Sequence, residues 1–202
     1  MTDTDAGAQY TEPTDPAWPI ASAQPRSFFK SPLCTDLDAL DAQVAFLGVP
    51  FDQGTLGRPG ARFGPDAVRD APRTYSYMDP YGAQRAAGGY FDIDAGDELL
   101  RGVTMADCGN VTVVPSDVLG NFDKLTQAVT KIVERGAFPV VVGGDHSITF
   151  PVVRGLSSFA PLDIVHFDAH PDYSDMVNGS KYSHGSQLRR LSELGFVNNI
   201  TM

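Results

Sequence analysis

Phe138-Pro-Val-Val-Val-Gly-Gly-Asp-His146-Ser and, after a helix-length interval, Leu162-Asp-Ile-Val-His-Phe-Asp168-Ala-His170-Pro-Asp172 are the stretch whose reading decides the fold. Each half is a mainly apolar run that stops abruptly in polar residues. Short apolar runs bounded by turn residues are the pattern of strands covered on both faces, as in a parallel sheet. Ala42-Gln-Val-Ala-Phe-Leu-Gly-Val49, stopped by Pro50, has the same character and is the expected first strand. Further strands are expected at Val111 to Val114, Pro139 to Val142 and Leu162 to Phe167. Helices fall between them. One is expected from about Asn121 to Arg135, with Phe122, Leu125, Val129, Ile132 and Val133 on one face and Gly136 as its stop. Others are expected at Ile148 to Leu156, with Pro151 in the first turn, and at Gln187 to Leu194. Strands alternating with helices at this spacing predict an α/β fold with a mainly parallel sheet.

Working outward, residues 1–26 are rich in Thr, Asp, Ala and Pro with no apolar period, which predicts a mobile arm; Trp18 and the Phe28-Phe29 pair are what this end of the chain has to bury. Residues 27–202 are expected to form one domain. The Tyr-, Gly- and Asp-rich span from Thr74 to Arg101 reads as a long excursion, with short strands near Tyr90 to Ile93. After the first strand comes Phe51-Asp-Gln-Gly-Thr-Leu-Gly57-Arg58-Pro-Gly60-Ala-Arg62-Phe-Gly64-Pro65. Its glycines and prolines specify a fixed irregular loop, and Gly64-Pro65 opens a helix with proline at its first position. Loops after parallel strands are where such folds keep their ligands.

Composition limits the partners. The formal charge of -10 and pI near 4.6 argue against nucleic acid or an acidic membrane surface and suit a cationic small molecule. Cys34 and Cys108 form no Cys-x-x-Cys pair, which points to a reducing compartment. The first residues lack the basic-then-apolar order of a secretory signal, and no run approaches the roughly 18 apolar residues of a membrane helix. A cytoplasmic location is the expectation.

The chemistry lies where the strands end. Asp168, His170 and Asp172 follow a strand two residues apart, and while a chain stays extended such residues point the same way. Burying two carboxylates there without compensation would cost several kcal/mol. His146 occupies the corresponding place after the neighbouring strand, with Gly143-Gly144 letting the backbone bend before it. Oxygen and imidazole ligands without thiolate suit Mn2+, and also Ni2+, Co2+, Fe2+ or Zn2+.

These residues carry a resemblance. Gly143-Gly-Asp-His146-Ser, Asp168-Ala-His170-x-Asp172, Tyr182-Ser-His184-Gly and Gly57-Arg58-Pro-Gly60 through Gly64-Pro65 resemble the ureohydrolase family of arginases, agmatinases and guanidino-acid hydrolases, in its agmatinase-like branch. The resemblance implies a three-layer α/β/α fold and hydrolysis of a linear guanidino compound to urea by hydroxide bridging two manganese ions, in a trimer or hexamer. It implies that His146 and Asp172 serve one ion and His170 the other, that Asp168 bridges both, and that His184 carries a proton to the departing amine. Arg58 belongs to the loop expected to wall the substrate. The family's third metal motif, Ser-x-Asp-x-Asp-x-x-Asp-Pro, is absent, so the sequence is expected to be the N-terminal two-thirds of such a domain and, alone, catalytically deficient. A shortened, non-catalytic homologue that occupies a subunit position in an oligomer is the competing expectation.

Overall fold

A computed structural model of the chain describes residues 26–71 and 89–202. Most of the expected arm, Trp18 included, and the first part of the 74–101 excursion lie outside the described residues. The strands are β1 (Val44–Val49), β2 (Tyr90–Asp92), β3 (Asp97–Leu99), β4 (Met105–Asn110), β5 (Phe138–Gly143), β6 (Leu162–Val165) and β7 (Val197–Thr201). The α-helices are α1 (Gly64–Asp70), α2 (Val118–Glu134), α3 (Thr149–Arg154) and α4 (Gln187–Leu191).

The first strand is the centre of a parallel sheet ordered β4-β1-β5, with Val44 opposite both Met105 and Phe138. Its alternation sorts the two helix layers. Ala45, Leu47 and Val49 belong to the core that includes Phe122, Leu125, Val129 and Ile132 of α2. Each large apolar side chain buried there contributes about 1.5–3 kcal/mol. Phe46 faces the other way, its ring centroid 5.6 Å from that of Phe28, on the side where α1 packs. The result is the three-layer α/β/α arrangement with a mainly parallel sheet.

The helix α2 buries four of the five residues expected to line its apolar face; Val133 stays half-buried. Asp117 caps the helix by accepting from the Gly120 N–H, and Gly136 takes φ +77° just beyond its end. Gly64 and Pro65 open α1 as expected.

Several expectations are corrected. The strand placed at Val111–Val114 lies upstream, at Met105–Asn110. The β-branched run lost to a stretch containing a carboxylate, because fully buried Asp107 has its own partners: Arg69 donates to it from Nε (2.8 Å) and Nη2 (2.9 Å), and the backbone N–H groups of Phe28 and Gly109 donate at 2.9 Å. Ile148–Leu156 divides into a 3-10 turn, His146–Ile148, and a shorter α3. The excursion ends in an antiparallel hairpin of β2 and β3. The last strand, β7, was not foreseen and pairs with β6 in a separate parallel ladder.

The expected buried strand Leu162–Phe167 stops at Val165 and is covered on one side alone. Leu162 and Ile164 pack with Leu188, Leu191 and Val153, whereas Val165 is 66% and Phe167 95% exposed. The apolar run predicted two covered faces; among the described residues nothing covers the second. No described helix is long and apolar enough to cross a membrane.

Candidate metal centre

Two strand ends build the centre. Beyond β5 the chain must turn at once, and Gly144 sits at φ +73° with the carbonyl oxygens of Val49 and Phe51 within 2.5 and 2.7 Å of where a Cβ would stand. A side chain there would collide with backbone, so the bend needs glycine. Asp145 then caps the 3-10 turn by accepting from the Ser147 N–H, and this turn presents His146. Beyond β6, the His166 N–H donates to Thr201 of β7 at 2.8 Å, which extends the pairing by one residue and fixes the direction of His166 and, two residues on, Asp168.

His146, His166, Asp168 and Asp172 converge, with one ligand atom of each within 4.8 Å of the others. His146 Nε2 stands 2.9 Å from His166 Nε2 and 3.6 Å from both Asp168 Oδ2 and Asp172 Oδ2. Asp168 Oδ2 is also 3.5 Å from His166 Nε2. Six-coordinate ions with bonds of about 2.1 Å hold neighbouring ligands about 3 Å apart, so the spacings and the mixed donors fit a divalent ion such as Mn2+. Neighbours hold the ligands in place. Thr149 Oγ1 lies 2.9 Å from His146 Nδ1, and buried Gln187 donates to Asp172 Oδ2 at 2.8 Å.

Electrostatics prepare the donors. Burial first, and then nearby His166, pushes the His146 pKa down against the pull of Asp172 and Asp168, which favours the neutral imidazole that a metal requires. The Asp168 carboxyl is held below its ordinary range, chiefly by the His170 backbone N–H donating at 2.9 Å.

Of the six residues singled out from sequence, the structure brings His146, Asp168 and Asp172 together. His170 stands beside them, its Nδ1 3.2 Å from Asp168 Oδ1, with a side chain 77% exposed. Alternation fails to carry it inward because the chain past Phe167 bends, and Asp172 itself takes φ +41°. The same period of two, begun one step earlier, includes His166, which lies inside a run that otherwise reads as apolar strand. Half-buried His184 donates its backbone N–H to Gly54 O at 2.9 Å, against the 51–55 segment. Arg58 is exposed on that loop and has no ion pair among the described residues.

A second concavity of about 760 Å3 opens where β1 and β4 end, lined by Asp52, Gln53, Arg62, Asn110, Thr112 and Ser116 among others. The chain leaves β1 toward α1 and β5 toward α3, which packs on α2, so the topological switch point of the sheet lies between β1 and β5, beside the turn that presents His146, and not at this concavity. Arg62 forks onto both oxygens of Asp52 from Nε at 2.8 Å.

The sequence profile of the arginase family matches residues 42–202. The mitochondrial agmatinase of Gallus gallus is 37% identical over 172 residues, which cover 85% of this chain and 46% of that protein. The mitochondrial guanidino acid hydrolase of Homo sapiens is 31% identical over 191 residues, 94% of this chain and 50% of that one. Among solved structures, the proclavaminate amidino hydrolase from Streptomyces clavuligerus aligns with a TM-score of 0.72 at 27% identity, over 87% of this chain and 54% of that one. The chain spans about half the length of the curated relatives it matches.

Proposed function

The chain belongs to the arginase family, and from that premise we propose that its strand-end cluster serves a metal-dependent hydrolysis of a linear guanidino compound to urea, agmatine or a guanidino acid being the substrate class. The observation that carries this reading is the convergence of His146, His166, Asp168 and Asp172 at the ends of β5 and β6. A divalent ion held there would lower the pKa of water and so would supply a nucleophile at neutral pH, which the resonance-stabilised guanidinium needs.

The chain's own residues have the remaining tasks. His146 and Asp172, oriented by Thr149 and Gln187, would hold the ion, and Asp168 remains a carboxylate under the His170 N–H. His170, beside Asp168, is the residue we assign to a second ion, which completes the pair of Mn2+ ions expected from the family pattern. His184 carries a proton to the departing amine, a role worth about 10²–10⁴ in rate. Arg58, on the loop after β1, is assigned to the substrate wall. The acidic balance of the chain suits a cationic substrate.

The test incubates intact protein, with the third metal motif present, and Mn2+ with agmatine, 4-guanidinobutyrate, arginine and guanidine and measures urea. Release from any of them, lost in Asp168→Asn, supports the reading; no urea from these or other guanidino compounds counts against it. A second reading, a shortened, non-catalytic homologue that occupies a subunit position in an oligomer, draws on the bare apolar side of β6. Protein that forms trimers or hexamers yet neither binds Mn2+ nor yields urea would favour it.

A further inference from the structure

Asp145 is absent from the ligand cluster although it adjoins His146 in sequence, and its hydrogen bonds explain why. The residue is 5% exposed. Its Oδ1 accepts from the Ser147 N–H (2.8 Å) and the Ser147 hydroxyl (2.5 Å), and its Oδ2 from the Gly54 N–H (2.8 Å) and the Thr55 hydroxyl (3.5 Å). A carboxylate offers about four acceptor sites, so this one has none left for an ion.

Those donors come from two separate segments. Ser147 lies on the turn that presents His146, whereas Gly54 lies on the loop after β1. Gly54 in turn accepts the His184 N–H through its carbonyl at 2.9 Å, and Gly185 accepts from Ser174, two residues past Asp172, at 3.1 Å. The backbone adds a parallel tie, the Asp145 N–H donating to Phe51 O at 2.7 Å. The approach at Gly54 is too close for a side chain, since a Cβ would stand 2.6 Å from Ser147 Oγ and 3.0 Å from Asp145 Oδ1.

We infer that Asp145 is a positioning residue that fixes the metal-ligand turn and the His184 segment to each other through Gly54. Among the described residues the carboxylate hydrogen-bonds to both segments, so it helps to set the distance between the ion and the proton carrier. This rests on the proposed function where it concerns Mn2+ and His184 chemistry; the geometric coupling does not.

The test uses the full chain labelled with 13C at histidine Cε1, which gives four resonances, one for each histidine. In Asp145→Asn the amide still accepts from Ser147 with its oxygen but turns an NH2 toward the Gly54 N–H, donor against donor. Both the His146 and His184 resonances should shift, and Mn2+ affinity should fall about tenfold or more, the usual effect of disturbing groups that orient ligands. Ser147→Ala, which leaves the Gly54 bond intact, should move His146 and leave His184 in place. A folded Asp145→Asn protein with an unmoved His184 resonance overturns the inference. Should that variant fail to fold, hydrogen exchange in the unaltered protein decides: the amides of Gly54, Ser147 and His184 should exchange at one common rate, and independent rates overturn it. Absence of Mn2+ binding in the unaltered protein would count against the proposed function alone, because the resonance shifts and exchange rates are read without metal.

Discussion

The buried pair Arg69–Asp107 offers the sharpest test of the architecture. The side chains are 7% and 0% exposed, and the carboxylate takes four hydrogen bonds, two from Arg69 and one each from the N–H groups of Phe28 and Gly109. Asp107→Asn turns an amide donor toward some of those donors and leaves a buried guanidinium with Asn110 Oδ1 (2.6 Å) and Gly109 O (2.9 Å), and with the exposed Asp66 carboxylate 3.6 Å away. Breaking one partner of a buried ion pair costs about 3–5 kcal/mol, out of a total stability of about 5–15 kcal/mol. Because Arg69 keeps those two acceptors, the lower end of that range, about 3 kcal/mol, is expected. With a urea slope of about 2 kcal/mol per molar, the unfolding midpoint should fall by about 1.5 M. The Phe28 N–H loses its acceptor in the same step, and Phe28 lies under the Arg69 guanidinium, 4.1 Å from ring centroid to Cζ, so the 26–34 segment should loosen together with β4. Arg69→Met should cost a similar amount, and the double variant clearly less than the two together. Urea denaturation followed by circular dichroism reads all three. A loss below about 1 kcal/mol in both single variants, or strict additivity in the double, would refute the claim that the pair acts as one buried unit.

Four further outcomes are expected. In a complete enzyme, His184→Ala should lower urea production about a hundredfold or more while metal content stays near that of the unaltered protein; loss of metal would make His184 a ligand. His166→Ala should weaken Mn2+ binding at least about tenfold by equilibrium dialysis, and a variant that binds normally while His170→Ala does not would exchange the two rings' assignments. Arg58→Ala in a complete version should impair turnover or substrate affinity, and unchanged values of both remove that loop from the site. The Arg62 hydrogen bond holds the Asp52 carboxyl below its ordinary range, so the stability it contributes is full above the unfolded value near 3.9 and is lost as pH falls through the lowered folded value. The stability gap between the unaltered protein and Arg62→Gln should therefore be constant above about pH 5 and close below about pH 4; a gap that persists undiminished at pH 2.5 contradicts this.

Periodicity and turn chemistry made β1, α1 and α2 legible, because Ala45 to Val49 are buried on both sides and the burial of α2 follows its apolar stripe. They failed where tertiary partners decide. Asp107 is carried inside a strand by an arginine distant in sequence, which no local pattern announces. Val165 and Phe167 look like core residues, yet a pattern states what a side chain prefers and not whether anything arrives to cover it. At the centre, His146, Asp168 and Asp172 could be named from spacing, whereas the roles of His166 and His170 turn on where extended backbone ends, one or two residues either way.

The order β4-β1-β5 sets a timetable for synthesis. Val44 pairs with Phe138, so at ribosomal rates of about 5–20 residues per second the strand at the middle of the sheet waits roughly 5–20 s for its second neighbour to be made. Through that interval Ala45, Leu47 and Val49 have no α2 to cover them until Phe122 and its successors leave the exit tunnel. Among the described strands the most apolar is thus the earliest and the longest unaccompanied, and contacts so distant along the chain form slowly even after release. In nascent chains, residues 44–49 are therefore the segment expected to be bound by chaperones that recognise short apolar stretches.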